Sequence, residues 1–403
     1  MTTGTEPFRL RDVALAAYGP SAVVSVGHGA VMPVLALRAR DLGADVGTAA
    51  LVVGLLGVGM LLTSLPAGAV VARIGEKRAL QVAGAVDALA MLAAALTPSV
   101  VGLGAAVLVS GAAWTTFLIA RQGFMIEAVP ADHRARALST LGGTHRVGTF
   151  VGPLLGAGLI GWTGVVGVFW LAVATSLGAM AIATVVPDLG QERRAVQRQA
   201  GHLPVLQVLR DHRRTFLTLG VAVVVIGASR SVRTGLLPLW AESVGIDART
   251  TSLIFAMAAA IDIAFFYPGG WLMDHHGRRV VAVPVVLGVA VGALLLPLTD
   301  GALGVAAVMA LIAAGNGLGS GIVMTIGADT APTEGRLQFL GGWRLCGDVG
   351  NSGGPLLVAG VAAVAPLATA CLVIGVLGLA GTAWVGRWTG ALDRARAAAR
   401  RTA

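Results

Sequence analysis

The sequence predicts an all-α integral membrane protein of twelve transmembrane helices in two pseudo-symmetric six-helix bundles. Three observations predict it: the composition, a succession of long apolar segments, and an internal repeat. Of 403 residues, 56% are hydrophobic and 12% charged, with a mean hydropathy of +0.82. A soluble domain carries about a quarter charged residues because it must wet its surface. Here the surface must face lipid. The net charge of +9 is spread over short loops, without a basic helix or an aromatic-interleaved patch. It therefore suits an arginine bias in cytoplasmic loops and argues against a nucleic-acid partner.

Apolar runs long enough to cross a bilayer fall near 13–37, 46–72, 79–97, 100–129, 138–161 and 164–187. A second series falls near 215–240, 249–273, 280–298, 302–329, 339–364 and 366–388. Between them, 188–214 is the only long polar stretch, with six arginines and three acids. The expected units are an N-terminal bundle (1–187), a cytoplasmic linker (188–214), and a C-terminal bundle with a short basic tail (215–403). With both termini cytoplasmic, 21 Arg/Lys lie on that side and three (Arg38, Arg40, Arg249) on the other. That asymmetry expects both termini inside, and the chain is expected to be a multi-pass protein of the bacterial inner membrane, monomeric in the lipid bilayer. No small-residue cleavage site follows a short apolar core, so the first helix is expected to stay uncleaved. Cys346 and Cys371 fall in helices, with no disulfide or metal-ligand spacing, and read as packing residues.

The repeat is the most informative feature. A shift of 202 residues, without gaps, superposes Gly43-Ala-Asp45 on Gly245-Ile-Asp247, Pro66 on Pro268, Gly68 on Gly270, and Gly75 on Gly277. It continues through Lys77 and Arg279, Glu127 and Asp329, Pro130 and Pro332, and Arg134 and Arg336. Gly148, Gly152 and Pro153 meet Gly350, Gly354 and Pro355. One offset held across so many breakers and charges marks a parallel tandem duplication. Two bundles rocking about a midplane site are built this way.

Between the second and third helices runs Gly68-Ala-Val-Val-Ala72-Arg73-Ile-Gly75-Glu-Lys77-Arg78. Its counterpart between the eighth and ninth is Gly270-Trp-Leu-Met-Asp274-His-His-Gly277-Arg278-Arg279. Glycines permit a tight reversal, and the charges can pair with neighbouring helix ends. Both segments resemble the loop signature of the major facilitator superfamily, and the resemblance extends over the whole chain. It implies the major facilitator fold and a gating latch, with Glu127 offered to Arg73, Lys77 or Arg78, and Asp329 to Arg278 or Arg279. The first copy departs from the family in having Ala72 where an Asp is usual. In the fifth helix, Gly148-Thr-Phe-Val-Gly152-Pro153-Leu-Leu-Gly156 resembles the motif that marks the superfamily's twelve-helix drug:proton antiporters. Glycines at that spacing also serve ordinary helix packing.

Ionisable residues inside membrane helices cost a few kcal/mol each and usually face the bundle interior. His28, Arg230, Arg233 and Asp262 fall midway along their helices. Asp262 is the first candidate for proton coupling, since approach of Arg230 or Arg233 would change its charge state. His28 is the second. Arg230 and Arg233, with Trp114 and Asn316, are assigned to a substrate cavity, where two arginines could hold an anionic group. Asp87, Arg121, Arg146, Arg344 and Asp348 are expected as inter-bundle charges, with Arg344 and Asp348 four apart on one face. Gly350-Asn-Ser352-Gly-Gly354 fits a hydrolase pattern but lies in a helix, and no Walker A sequence occurs, so no enzyme, cofactor or metal is expected. The resemblance implies a secondary active transporter that exports a small amphipathic compound, a drug or secondary metabolite, against protons. The alternative is a proton-coupled importer of an organic anion or metabolite.

Overall fold

A computed structural model describes residues 10–129, 134–186, 207, 210–332 and 336–402. Most of the described residues are helical, with no strand among them. The first set comprises α1 (Leu10–Val31), α2 (Leu35–Asp41), α3 (Val46–Ile74), α4 (Glu76–Leu96), α5 (Val100–Ala128), α6 (Arg134–Thr163) and α7 (Val166–Thr184). The second comprises α8 (Arg213–Ser243), α9 (Ala248–His276), α10 (Arg279–Leu298), α11 (Ala302–Thr330), α12 (Arg336–Ala362) and α13 (Leu367–Thr402). The expected linker falls almost wholly outside the described residues.

Among the described residues, nine helices are long and apolar enough to cross a membrane, or ten if α1 and α2, bent by 45°, form one span. The expected count of twelve is thus not met on apolarity alone. The two remaining long helices are α6 and α12, which carry Thr144, His145 and Arg146 in one, Arg344, Asp348 and Asn351 in the other. They can be polar because each packs on the opposite set, α6 on α9 and α12 on α3. The first span, expected as one helix, breaks at 32–34, where Pro33 has no N–H to continue the helix.

The duplication is visible in local geometry. Asp45 and Asp247 cap α3 and α9, accepting the N–H of Thr48 at 2.7 Å and of Thr250 at 2.8 Å. Two residues before each cap, Gly43 and Gly245 have φ of 90° and 78°, a conformation that strains any side-chain-bearing residue. These caps hold both carboxyls below the usual carboxylate range, the Thr48 and Thr250 N–H bonds being the main cause.

The apolar core is distributed unevenly. One cluster runs through both sets at the end where α3 and α9 begin, joining Leu35, Val53 and Val107 to Leu236, Phe255 and Val358. At the opposite end, where the loop motifs lie, the core divides. Leu80, Phe117 and Phe124 pack within the first set, and Val281, Phe339 and Trp343 within the second. The two sets therefore share an apolar core only at the end where α3 and α9 begin.

Candidate functional site

Asp262 projects from α9 between two partners. Arg233 on α8 donates through Nη2 to Oδ2 at 3.0 Å, and Asn316 on α11 donates through Nδ2 to Oδ1 at 3.0 Å. A carboxylate accepts only, so the amide nitrogen must face it and the amide oxygen must point away. Arg230, expected beside Arg233, turns elsewhere: its Nη2 caps the Gly319 carbonyl. That carbonyl lies where α11 is interrupted between Leu318 and Ile322, and it also accepts the Ile322 N–H at 3.0 Å. Three polar atoms here are buried without a hydrogen-bond partner: Arg230 Nε, Arg233 Nη1 and Asn316 Oδ1. Orphaned buried polar atoms are rare in folded proteins.

The polar cluster of the first set is closed by comparison. Asp87 accepts from Ser110 Oγ at 2.6 Å, Ser176 Oγ at 2.6 Å and His28 Nε2 at 3.1 Å. His28 stacks on Trp114 with ring centroids 4.2 Å apart, and Trp114 also neighbours His145 and Phe117. This corrects two expectations. Asp87 is not an inter-bundle charge, because all three partners belong to its own set, at the middle of α4. Trp114 is only 8% exposed, its ring covered by His28, so it offers no open face to a planar solute. Arg121 bonds inside its own set, to Ser21 Oγ at 3.0 Å, and also stands close enough to Arg344 of the second set to feel its charge.

Other charges do meet across the sets. Arg146 on α6 lies over the Phe266 ring of α9, 4.4 Å from its centroid. Asp348 on α12 accepts from Ser64 on α3 at 2.6 Å, with Arg344 4.0 Å away on its own helix. Under the 202-residue shift, Arg146 matches Asp348 and Phe266 matches Ser64, so both seams use one pair of positions with opposite charge. Close approach at the α3–α12 seam depends on small residues: a Cβ on Gly57 would stand 2.7 Å from Ser352 Cα. At the closed end, Arg40 Nε meets Glu242 at 3.1 Å, and these residues are themselves 202 apart. Sequence reasoning passed over that pair. Equivalent positions of a twofold repeat meet only on its axis, and opposite charges at offset 202 were the available signal.

The glycines of the antiporter-like motif serve packing within each set. Gly152 and Gly156 lie against Gly29 and Ala30 of α1, while Gly148 lies against Ser25. Pro153 is buried in the same helix. Gly350 and Gly354 repeat the arrangement against α8.

The second loop motif is tied to the last helix. Asp393 of α13 accepts the N–H of Arg278 at 2.9 Å and of Arg279 at 3.0 Å, capping α10. Gly277 there has φ 94°, and a Cβ would stand 2.7 Å from Asp393, so glycine is required twice over. Arg278 binds Asp329 at 2.8 Å, and Arg396 also pairs with Asp329. Asp274 is exposed and Gly270 half-buried. In the first copy, Gly75 turns with φ 86°. Arg73 and Arg78 are exposed, Gly68 and Lys77 half-buried, and the Glu127 side chain lies outside the described residues.

Among the described residues no group of His, Cys, Asp and Glu could hold a metal. The family model for the Major Facilitator Superfamily matches residues 21–355 and again 219–402. Among solved structures, the chain is similar to a POT family transporter crystallised with a thioalcohol-conjugated peptide. The TM-score is 0.77 at 10% identity, covering 95% of this chain and 96% of that one. It is also similar to the nucleoside transporter NupG (TM-score 0.75, 12% identity, 93% and 98% covered). A D-xylose-proton symporter matches with TM-score 0.71 and 14% identity, covering 94% and 97%. A search of curated protein sequences returns no match.

Proposed function

The chain belongs to the major facilitator superfamily, and from that premise we propose that it is a proton-coupled secondary active transporter working by alternating access. The observation that carries the proposal is Asp262, a mid-helix carboxylate shared between Arg233 and Asn316 and close enough to Arg146 of the other set to feel its charge. Neutralising Asp262 releases Arg233, and deprotonation recaptures it, so one proton changes the charge of the cavity wall. The moving bodies are the units 1–187 and 215–403 joined by 188–214, with the loop-motif end cytoplasmic and the chain acting as a monomer. In that orientation the apolar core shared by both sets lies toward the outside, which supports an inward-facing conformation.

Export of a small amphipathic compound is the reading supported by the Gly148–Gly156 sequence. The same packing recurs at Gly350 and Gly354, so that sequence has a structural use in both sets. Uptake is the reading supported by the arginines, Arg230 and Arg233 foremost. His28, engaged by Asp87, is the less available proton carrier of the two. Reconstituted protein under an imposed pH gradient tests the proposal. Substrate movement that follows the sign of the gradient supports coupling and gives the direction, while flux indifferent to the gradient refutes coupling.

A further inference from the structure

The unpartnered atoms around Asp262 define a ligand. Arg230 Nε and Arg233 Nη1 are cationic donors, and Asn316 Oδ1 is a neutral acceptor, all three buried and without a hydrogen-bond partner. They are contiguous. Arg233 and Asn316 share one carboxylate, and Arg230 reaches Gly319, three residues beyond Asn316 on the same helix. Across the gap, Arg146 lies over Phe266, one helical turn along α9 from Asp262. Three guanidinium groups thus share this region with Asp262, which is already committed to Arg233 and Asn316.

An excess of cationic donors in a low-dielectric site favours an anion, and spare guanidinium N–H groups bind carboxylates through charge-assisted bonds. The amide oxygen imposes a second condition. It would repel a bare anion and instead requires a donor on the ligand. We propose that this site binds a small organic acid that carries a hydroxyl or amino donor beside its carboxylate. The carboxylate is taken by Arg233 and Arg230, and the adjacent donor by Asn316. The proposal rests on the reading of the chain as a carrier. It adds the chemistry of the solute, which that reading leaves open.

The test is calorimetric titration of purified protein in detergent with three probes at constant ionic strength: mandelate, phenylacetate and mandelamide. Mandelate carries both features, phenylacetate lacks the hydroxyl, and mandelamide lacks the charge. The expected order is mandelate first, with phenylacetate several-fold weaker and mandelamide roughly tenfold weaker or more. Asn316→Ala should erase the preference for mandelate over phenylacetate, and Arg233→Gln should weaken both acids. Equal binding of mandelate and mandelamide overturns the proposal, as does the absence of millimolar binding by either acid. Equal binding of the two acids by the parent protein removes Asn316 from the site. These comparisons use the parent protein, so they stand even where a variant fails to fold. Binding in detergent needs no gradient. Acid binding without proton-linked flux therefore defeats the coupling proposal alone, and proton-linked flux without acid binding defeats this one alone.

Discussion

The repeat places His28 and Arg230 at one position of the first helix of each set, and Trp114 and Asn316 at one position of the fourth. In the first set these positions build a closed cluster. Asp87 there receives three donors, and an aromatic ring covers the histidine. In the second set the same positions leave one donor, Arg230 Nε, and one acceptor, Asn316 Oδ1, unused. In the reading proposed above, one buried charge of the duplicated scaffold serves cohesion and the other serves exchange. Full hydrogen-bond satisfaction separates the two uses, since both carboxylates are almost wholly buried.

The sharpest way to break this comparison is to neutralise both carboxylates. Asp262→Asn should abolish uphill transport, with a loss of about a hundredfold or more in gradient-driven flux, while solute exchange persists. Normal uphill transport by that variant would mean that coupling lies elsewhere. Asp87→Asn should act on folding: an amide offers one acceptor where three donors converge, and disrupting a buried charged network costs about 3 kcal/mol. Thermal unfolding of the purified variant measures it. An Asp87→Asn protein of unchanged stability that loses proton coupling would reverse the two assignments. A smaller effect is expected at Arg40–Glu242, a half-exposed pair of the kind that contributes about 1 kcal/mol or less. Glu242→Gln should raise thiol labelling of a cysteine at the closed end by a few-fold, and the swap Arg40→Glu with Glu242→Arg should restore protection.

The smallest effect is expected at the caps, where the two sets agree. Asp45→Ala or Asp247→Ala should each cost about 1 kcal/mol by loss of the cap. Both folded-state pKa values are depressed, so the caps stabilise fully above the unfolded value of about 3.9 and lose that contribution as pH falls below it. A pH series of melting temperatures should show the parent converging on the variants below about pH 4. Convergence only near neutrality would contradict the cap assignment.

Much of this was legible in the sequence because it repeats. The offset superposed Gly43 and Asp45 on Gly245 and Asp247, whose roles as turn glycines and caps the structure then supplied, and it paired the two loop motifs; depth along the helix located Asp262, Arg233 and His28. Partners across helices were not legible. Ser110 and Ser176 look like ordinary small residues until α5 and α7 bring them to Asp87. Asp87 itself was misjudged because its distance from a helix end says nothing about which set it faces. Apolarity alone falls short of twelve spans for a related reason: hydropathy assumes a lipid-facing helix, and α6 and α12 each pack on the opposite set.

The opposed seams carry one more consequence. Repeat-related residues of a parallel duplication lie at equal depth, so Arg146 and Asp348 form a plus and a minus on opposite flanks at one level. A charge crossing the membrane field exchanges about 2.3 kcal/mol per 100 mV. Under the proposed alternating access, with the two sets rocking symmetrically, these two charges rise and fall together and their electrical work cancels. Arg40 and Glu242 cancel in the same way at the closed end. The scaffold can therefore reorient without sensing the membrane voltage through these four groups, which leaves the voltage to act on whatever charge the carrier has loaded.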